Sequence, residues 1–138
     1  QRLLDLVEQV RSGGDAEIYA YVHAGVGDRD QGIEKARKDL FSYAVVDSYA
    51  ANFVRAGFAD EVAEIRERHA EGDRAGAVAA VSDRMCDAID VLGDADLVAA
   101  TIREYVDAGV DVPVLMPLPW GGDRTRVIAD TLEAAASA

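Results

Sequence analysis

His23 is one residue of this sequence whose type and place could do chemistry. It lies near the end of an apolar run, Glu17-Ile18-Tyr19-Ala20-Tyr21-Val22-His23-Ala24-Gly25-Val26, where an imidazole can donate or accept a hydrogen bond. No carboxylate stands at a telling spacing from it, and a histidine near a strand end is as often a packed residue with one nitrogen satisfied. His69, the other histidine, sits among Arg66, Glu67, Arg68 and Glu71 and reads as part of a solvated helix face. Two histidines and a single cysteine, Cys86, make no metal-ligand set of the usual kind and no internal disulfide. Cys86 reads as a packing residue. No serine sits at a strand-to-helix elbow, so a Ser-His-Asp hydrolase is not indicated. Gly25-Val26-Gly27 has the start of a phosphate-binding loop but lacks its third glycine. Trp120-Gly121-Gly122 is a second candidate loop, with N–H groups that suit an anion. Asp123 competes for that same helix end.

The elements that must hold these residues alternate between strand and helix. Leu3, Leu4, Val7 and Val10 fall at helical spacing up to Ser12-Gly13-Gly14. The run from Glu17 to Val26, β-branched, aromatic and nearly uncharged, predicts a strand buried on both faces, as in parallel sheets. A helix is expected from about Arg29 to Val46, on the stripe Ile33, Ala36, Leu40 and Tyr43 or Ala44. From Asp47 to about Val91 the pattern offers helices and no strand, with breaks at Gly57-Phe58 and Glu71-Gly72-Asp73. Asp94 is placed to cap a helix that ends at Ala108-Gly109-Val110. Val112-Pro113-Val114-Leu115-Met116-Pro117-Leu118 then predicts a second strand, with Pro113 near its start, where a missing N–H is tolerated. Asp123 can cap a last helix carrying Val127, Ile128 and Leu132.

Composition sets the outer bounds. In 138 residues, 50% hydrophobic and 29% charged, there is enough apolar material for a packed domain. A net charge of −12 with no basic cluster speaks against a nucleic-acid partner. No apolar run approaches the ~20 residues that cross a bilayer, and no signal segment opens the sequence. A cytoplasmic location is expected, and one cysteine fits a reducing compartment.

Two strands joined through helices, with no hairpin signal, belong to parallel βαβ architecture. A two-stranded parallel sheet leaves both edges open, so more strands are expected from elsewhere or from association of identical chains. An eight-stranded α/β barrel takes about 250 residues, and its last two strands with their helices would leave the rest of this chain for an insertion.

The sequence resembles the C-terminal part of luciferase-like monooxygenases, especially those that use flavin or a deazaflavin. The resemblance rests on Ile18-Tyr19-Ala20-Tyr21-Val22, on Tyr49-Ala50-Ala51-Asn52-Phe53-Val54-Arg55-Ala56-Gly57-Phe58, and on Leu92-Gly93-Asp94 followed by Tyr105 to Pro117. It implies the C-terminal part of a (β/α)8 TIM barrel, with two parallel strands and a helical insertion between them. Strand seven falls at about 17–26, the helical excursion at about 29–91, a helix at 94–108, strand eight at about 112–118 and a final helix at 123–136. The preceding part of the barrel is expected upstream of Gln1, and the chain alone is expected not to turn over.

The implied activity is hydride transfer or monooxygenation on a small organic substrate, with FMN or an 8-hydroxy-5-deazaflavin as cofactor, and this segment alone need hold none. In a barrel, functional side chains gather where strands end. His23, toward a ring carbonyl or phosphate, and Trp120, as a lid over a ring, are the candidate cofactor contacts. Tyr43, Tyr49 and Pro117 are the candidate substrate contacts. Tyr43 and Tyr49 lie at helical spacing, where such residues are more often core, and Trp120 could equally close the barrel mouth or pack on the last helix. No catalytic residue and no metal ligand is assigned. A non-catalytic, self-associating module derived from such a barrel is the competing expectation, and homo-oligomers are expected under either.

Overall fold

The computed structural model describes residues 2–138. Among them, α1 (Arg2–Arg11) leads to β1 (Tyr19–Val26), and α2 (Arg29–Ala44), α3 (Asp47–Arg55), α4 (Ala59–Ala70), α5 (Arg74–Ala79) and α6 (Asp83–Ile89) follow. The chain then runs through β2 (Asp90–Gly93), α7 (Ala95–Asp107), β3 (Val112–Pro117) and α8 (Arg124–Ala136). The strands form one parallel sheet in the order β2-β1-β3. Parallel strands linked through helices are the α/β architecture of a partial (β/α)8 barrel. No described helix is long and apolar enough to cross a membrane.

The middle of the sequence is not free of strand. β2 occupies one edge of β1, pairing His23 with Asp90 through Val26 with Gly93. Four residues that begin with Asp90 and lie between Asp87 and Asp94 carry too little apolar pattern to announce a strand. Nor is β1 buried on both faces. Ala20, Val22, Ala24 and Val26 alternate with Tyr19, Tyr21, His23 and Gly25, as side chains must along a strand. Val22 and Ala24 pack with Val98 and Ile102 of α7 and Ala134 of α8, joined by Leu115 and Val91 from the flanking strands. On the other face Tyr19 and Tyr21 remain 60% and 68% exposed, beside Met116 of β3 at 44%.

The chain forms two compact units, Gln1–Arg29 with Asp90–Ala138, and Asp30–Ile89. In the first, Asp94 and Asp123 cap α7 and α8, accepting from the N–H groups of Leu97 and Arg126. Gly109, at φ +96°, turns the chain out of α7 toward β3. In the second, Ile33, Ala36, Leu40 and Phe41 of α2, Val62 and Ile65 of α4, Ala77 of α5 and Met85 and Cys86 of α6 are buried. Asp73 caps α5. Glu61 accepts from Ser82 Oγ at 2.9 Å and Arg84 at 2.7 Å, and Arg84 lies 4.5 Å over the Phe58 ring. Desolvation alone would raise the Glu61 carboxyl, but hydrogen bonds from its own N–H, from Ser82 and from Arg84 outweigh it and hold the group below the ordinary range.

Asp111 ties three parts of the first unit together. Its Oδ2 accepts from the Ile18 N–H at 2.7 Å and from Arg11 at 2.5 Å, joining α1, the entry to β1 and the entry to β3. The Ile18 N–H first, with Arg11 behind it, holds this carboxyl below its ordinary value of 3.8. A folded-state value below the unfolded one adds stability that is complete above the unfolded value and is lost as pH falls through the folded one. Asp111→Asn is therefore expected to be less stable than the parent near neutral pH, with the gap closing as pH falls below about 4. Urea unfolding midpoints across that range measure it, and a gap that does not change with pH would refute it.

Candidate functional site

The C-terminal ends of the three strands converge, and backbone hydrogen bonds join the loops that follow them. Gly27 N–H donates to Gly93 O at 2.9 Å, Asp28 N–H to Gly121 O at 2.8 Å and Leu118 N–H to Ala24 O at 2.7 Å. This closeness accounts for the glycines. A Cβ on Gly27 would stand 2.9 Å from the carbonyl oxygens of both Trp120 and Gly121, and one on Gly25 would stand 2.5 Å from Leu118 O. Gly25-Val26-Gly27 thus lets three loops approach, and no phosphate cradle is needed to explain it. The anion reading of Gly121-Gly122 also loses its ground, because Asp123 Oδ1 accepts from the Arg126 N–H at the start of α8.

His23 lies two residues before Gly25, registered with Met116 on one side and Asp90 on the other. The missing carboxylate partner is Asp90, 67 residues along the chain and directly across the ladder. His23 Nδ1 stands 3.5 Å from Asp90 Oδ1, and the two side chains are 36% and 1% exposed. Neither Asp90 oxygen has a hydrogen-bond partner. At 3.5 Å the contact is close enough for a charge interaction yet short of hydrogen-bond geometry. Sequence reasoning missed Asp90 because nothing local marks it; only the pairing of β2 with β1 makes it a neighbour of His23.

Pro117 ends β3 opposite Ala24, and Trp120 follows in the next loop, half-buried, its backbone N–H donating to Leu118 O at 2.8 Å. His23, Pro117 and Trp120 are thus assembled at one end of the same sheet. Tyr43 and Tyr49 belong to the other unit, where their rings meet edge to face at 4.9 Å and 67°. Neither is a core residue, since they are 37% and 46% exposed. His69 is also exposed, and its ring meets the edge of buried Phe41 at 5.5 Å. Among the described residues no group of three or more His, Cys, Asp or Glu is placed to hold a metal. Cys86 is buried and takes part in no disulfide.

The end of β1 is fixed from behind by Thr131, a fully buried residue of α8. Its Oγ1 accepts from the Val26 N–H at 2.8 Å and donates to Val127 O at 2.5 Å. Thr131→Val keeps the shape and strands the Val26 N–H, so a loss of about 1–3 kcal/mol is expected in urea unfolding. An unchanged midpoint would show that water or a shifted backbone satisfies that donor.

Residues 3–112 match the family described as luciferase-like monooxygenase. A 5,10-methylenetetrahydromethanopterin reductase from Methanopyrus kandleri is 32% identical over 123 residues, covering 88% of this chain and 35% of that protein. The chain thus spans about a third of the length of the relative it matches. No solved structure matches it.

Proposed function

The chain belongs to the luciferase-like monooxygenase family, and from that premise we propose that it serves in a cytoplasmic oxidoreductase acting on a small organic substrate. The reaction is hydride transfer or monooxygenation, with FMN or 8-hydroxy-5-deazaflavin as the redox ring. The observation that carries the reading is the family match over residues 3–112. A relative named as a reductase supports the redox class.

In this reading β1 and β3 are neighbouring strands of a barrel wall, β2 lies on the other edge of β1, and 30–89 is the excursion after β1. The face bearing Tyr19, Tyr21 and His23 is the barrel's inner face, which would otherwise leave two tyrosines in water. The residues present suit a flat heteroaromatic ring, because that face offers aromatic side chains and an imidazole backed by a buried carboxylate. When bound, the ring supplies the hydride chemistry, and the protein's part is to orient it and exclude water. Native protein captured from its source with an antibody to this sequence is expected to retain or bind such a ring, seen as visible absorbance that bleaches on reduction. Native material that carries no such chromophore and binds neither added ring would overturn the proposal.

A second reading, a self-associating module without catalysis, is favoured by the same open face, with Tyr19, Tyr21 and Met116 exposed together. The 138-residue chain is then expected to sediment as a dimer or larger at micromolar concentration. A monodisperse monomer would argue against it.

A further inference from the structure

We propose that Asp90 is a positioning residue that commits Nδ1 of His23 as a donor, so that Nε2 serves as an acceptor for an N–H of a bound heterocycle. The ligand half of this inference rests on the ring-binding reading above; the Asp90 half stands on the structure by itself. Asp90 is placed by β-ladder register, beside His23 on the sheet, and its side chain is 1% exposed with neither oxygen hydrogen-bonded. A carboxylate withdrawn from water without a hydrogen bond is costly. His23 Nδ1, 3.5 Å from Asp90 Oδ1, is a donor within reach. Such contacts are commonly long before a ligand is bound and tighten with it.

A histidine whose Nδ1–H is taken by a carboxylate presents Nε2 as its acceptor in the neutral state. His23 shares its face of β1 with Tyr19 and Tyr21, the face that α7 and α8 leave uncovered. An acceptor nitrogen there selects a ligand that brings its own proton, such as the imide N–H of a pyrimidinedione ring. That choice separates the site from a phosphate clamp, which needs donors.

The test uses the chain with His69→Gln as parent, which leaves His23 as the one histidine. Nitrogen-15 imidazole spectra at alkaline pH show which nitrogen bears the proton. The expected result is the Nδ1–H form in the parent, retained in Asp90→Asn, which keeps an acceptor oxygen, and replaced by the Nε2–H form in Asp90→Val. An Nε2–H parent, or an Asp90→Val pattern equal to the parent's, overturns the positioning role. The parent spectrum decides the matter even if Asp90→Val does not fold.

Riboflavin and 3-methylriboflavin, which lacks the imide N–H, are then titrated by fluorescence. The parent is expected to prefer riboflavin by about fivefold, and His23→Phe to show no preference. Equal binding of the two by the parent overturns the acceptor role. Binding of neither, with the expected spectra, overturns ring binding by this chain and supports the Asp90 assignment.

Discussion

The hydrogen-bonding of β1 to a strand on each side is the constraint on which the first unit depends. A central parallel strand has its backbone groups satisfied by two ladders, and here β2 and β3 supply them, β2 along only the last four residues. With its edges occupied, β1 can bury one face against α7 and α8 through Val22, Ala24, Val98, Ile102 and Ala134. The same ladder brings three chain segments to one end of the sheet, where the Gly27 N–H donates to Gly93 O and the Asp28 N–H to Gly121 O. Every residue of the candidate site in this unit takes its place from that arrangement.

Features set by a few adjacent residues were legible in the sequence. Asp94 and Asp123 cap helices as their context predicted, because an N-cap needs only its own side chain and an N–H three residues on. Both long strands lie where β-branched and aromatic residues cluster. β2 was not legible, since four residues acquire strand conformation here by pairing with His23 to Val26, a contact that spans more than 60 residues. The open face of β1 left a trace that a count of apolar residues passes over. Tyr19, Tyr21 and His23 alternate with Ala20, Val22 and Ala24, so groups with polar tips share one side and small apolar groups share the other. The composition of the run pointed to two buried faces; its alternation points to two different environments.

Among the described residues of the first unit, the two buried polar ones show how structural and functional roles separate. Thr131 is fully enclosed and has both its hydrogen-bonding capacities used, one by β1 and one by its own helix. Its hydroxyl is explained by the fold alone. Asp90 is nearly as enclosed, yet no hydrogen bond compensates the removal of its carboxylate from water. Packing offers no reason for a carboxylate at that point, since valine or leucine would fill a strand position beside β1 without the cost. A polar group that weakens the fold where it stands is the kind of local inconsistency expected at working sites. Asp90 faces the imidazole that the sequence had already singled out at the functional end of the sheet, so the cost and the chemistry fall on the same pair of residues.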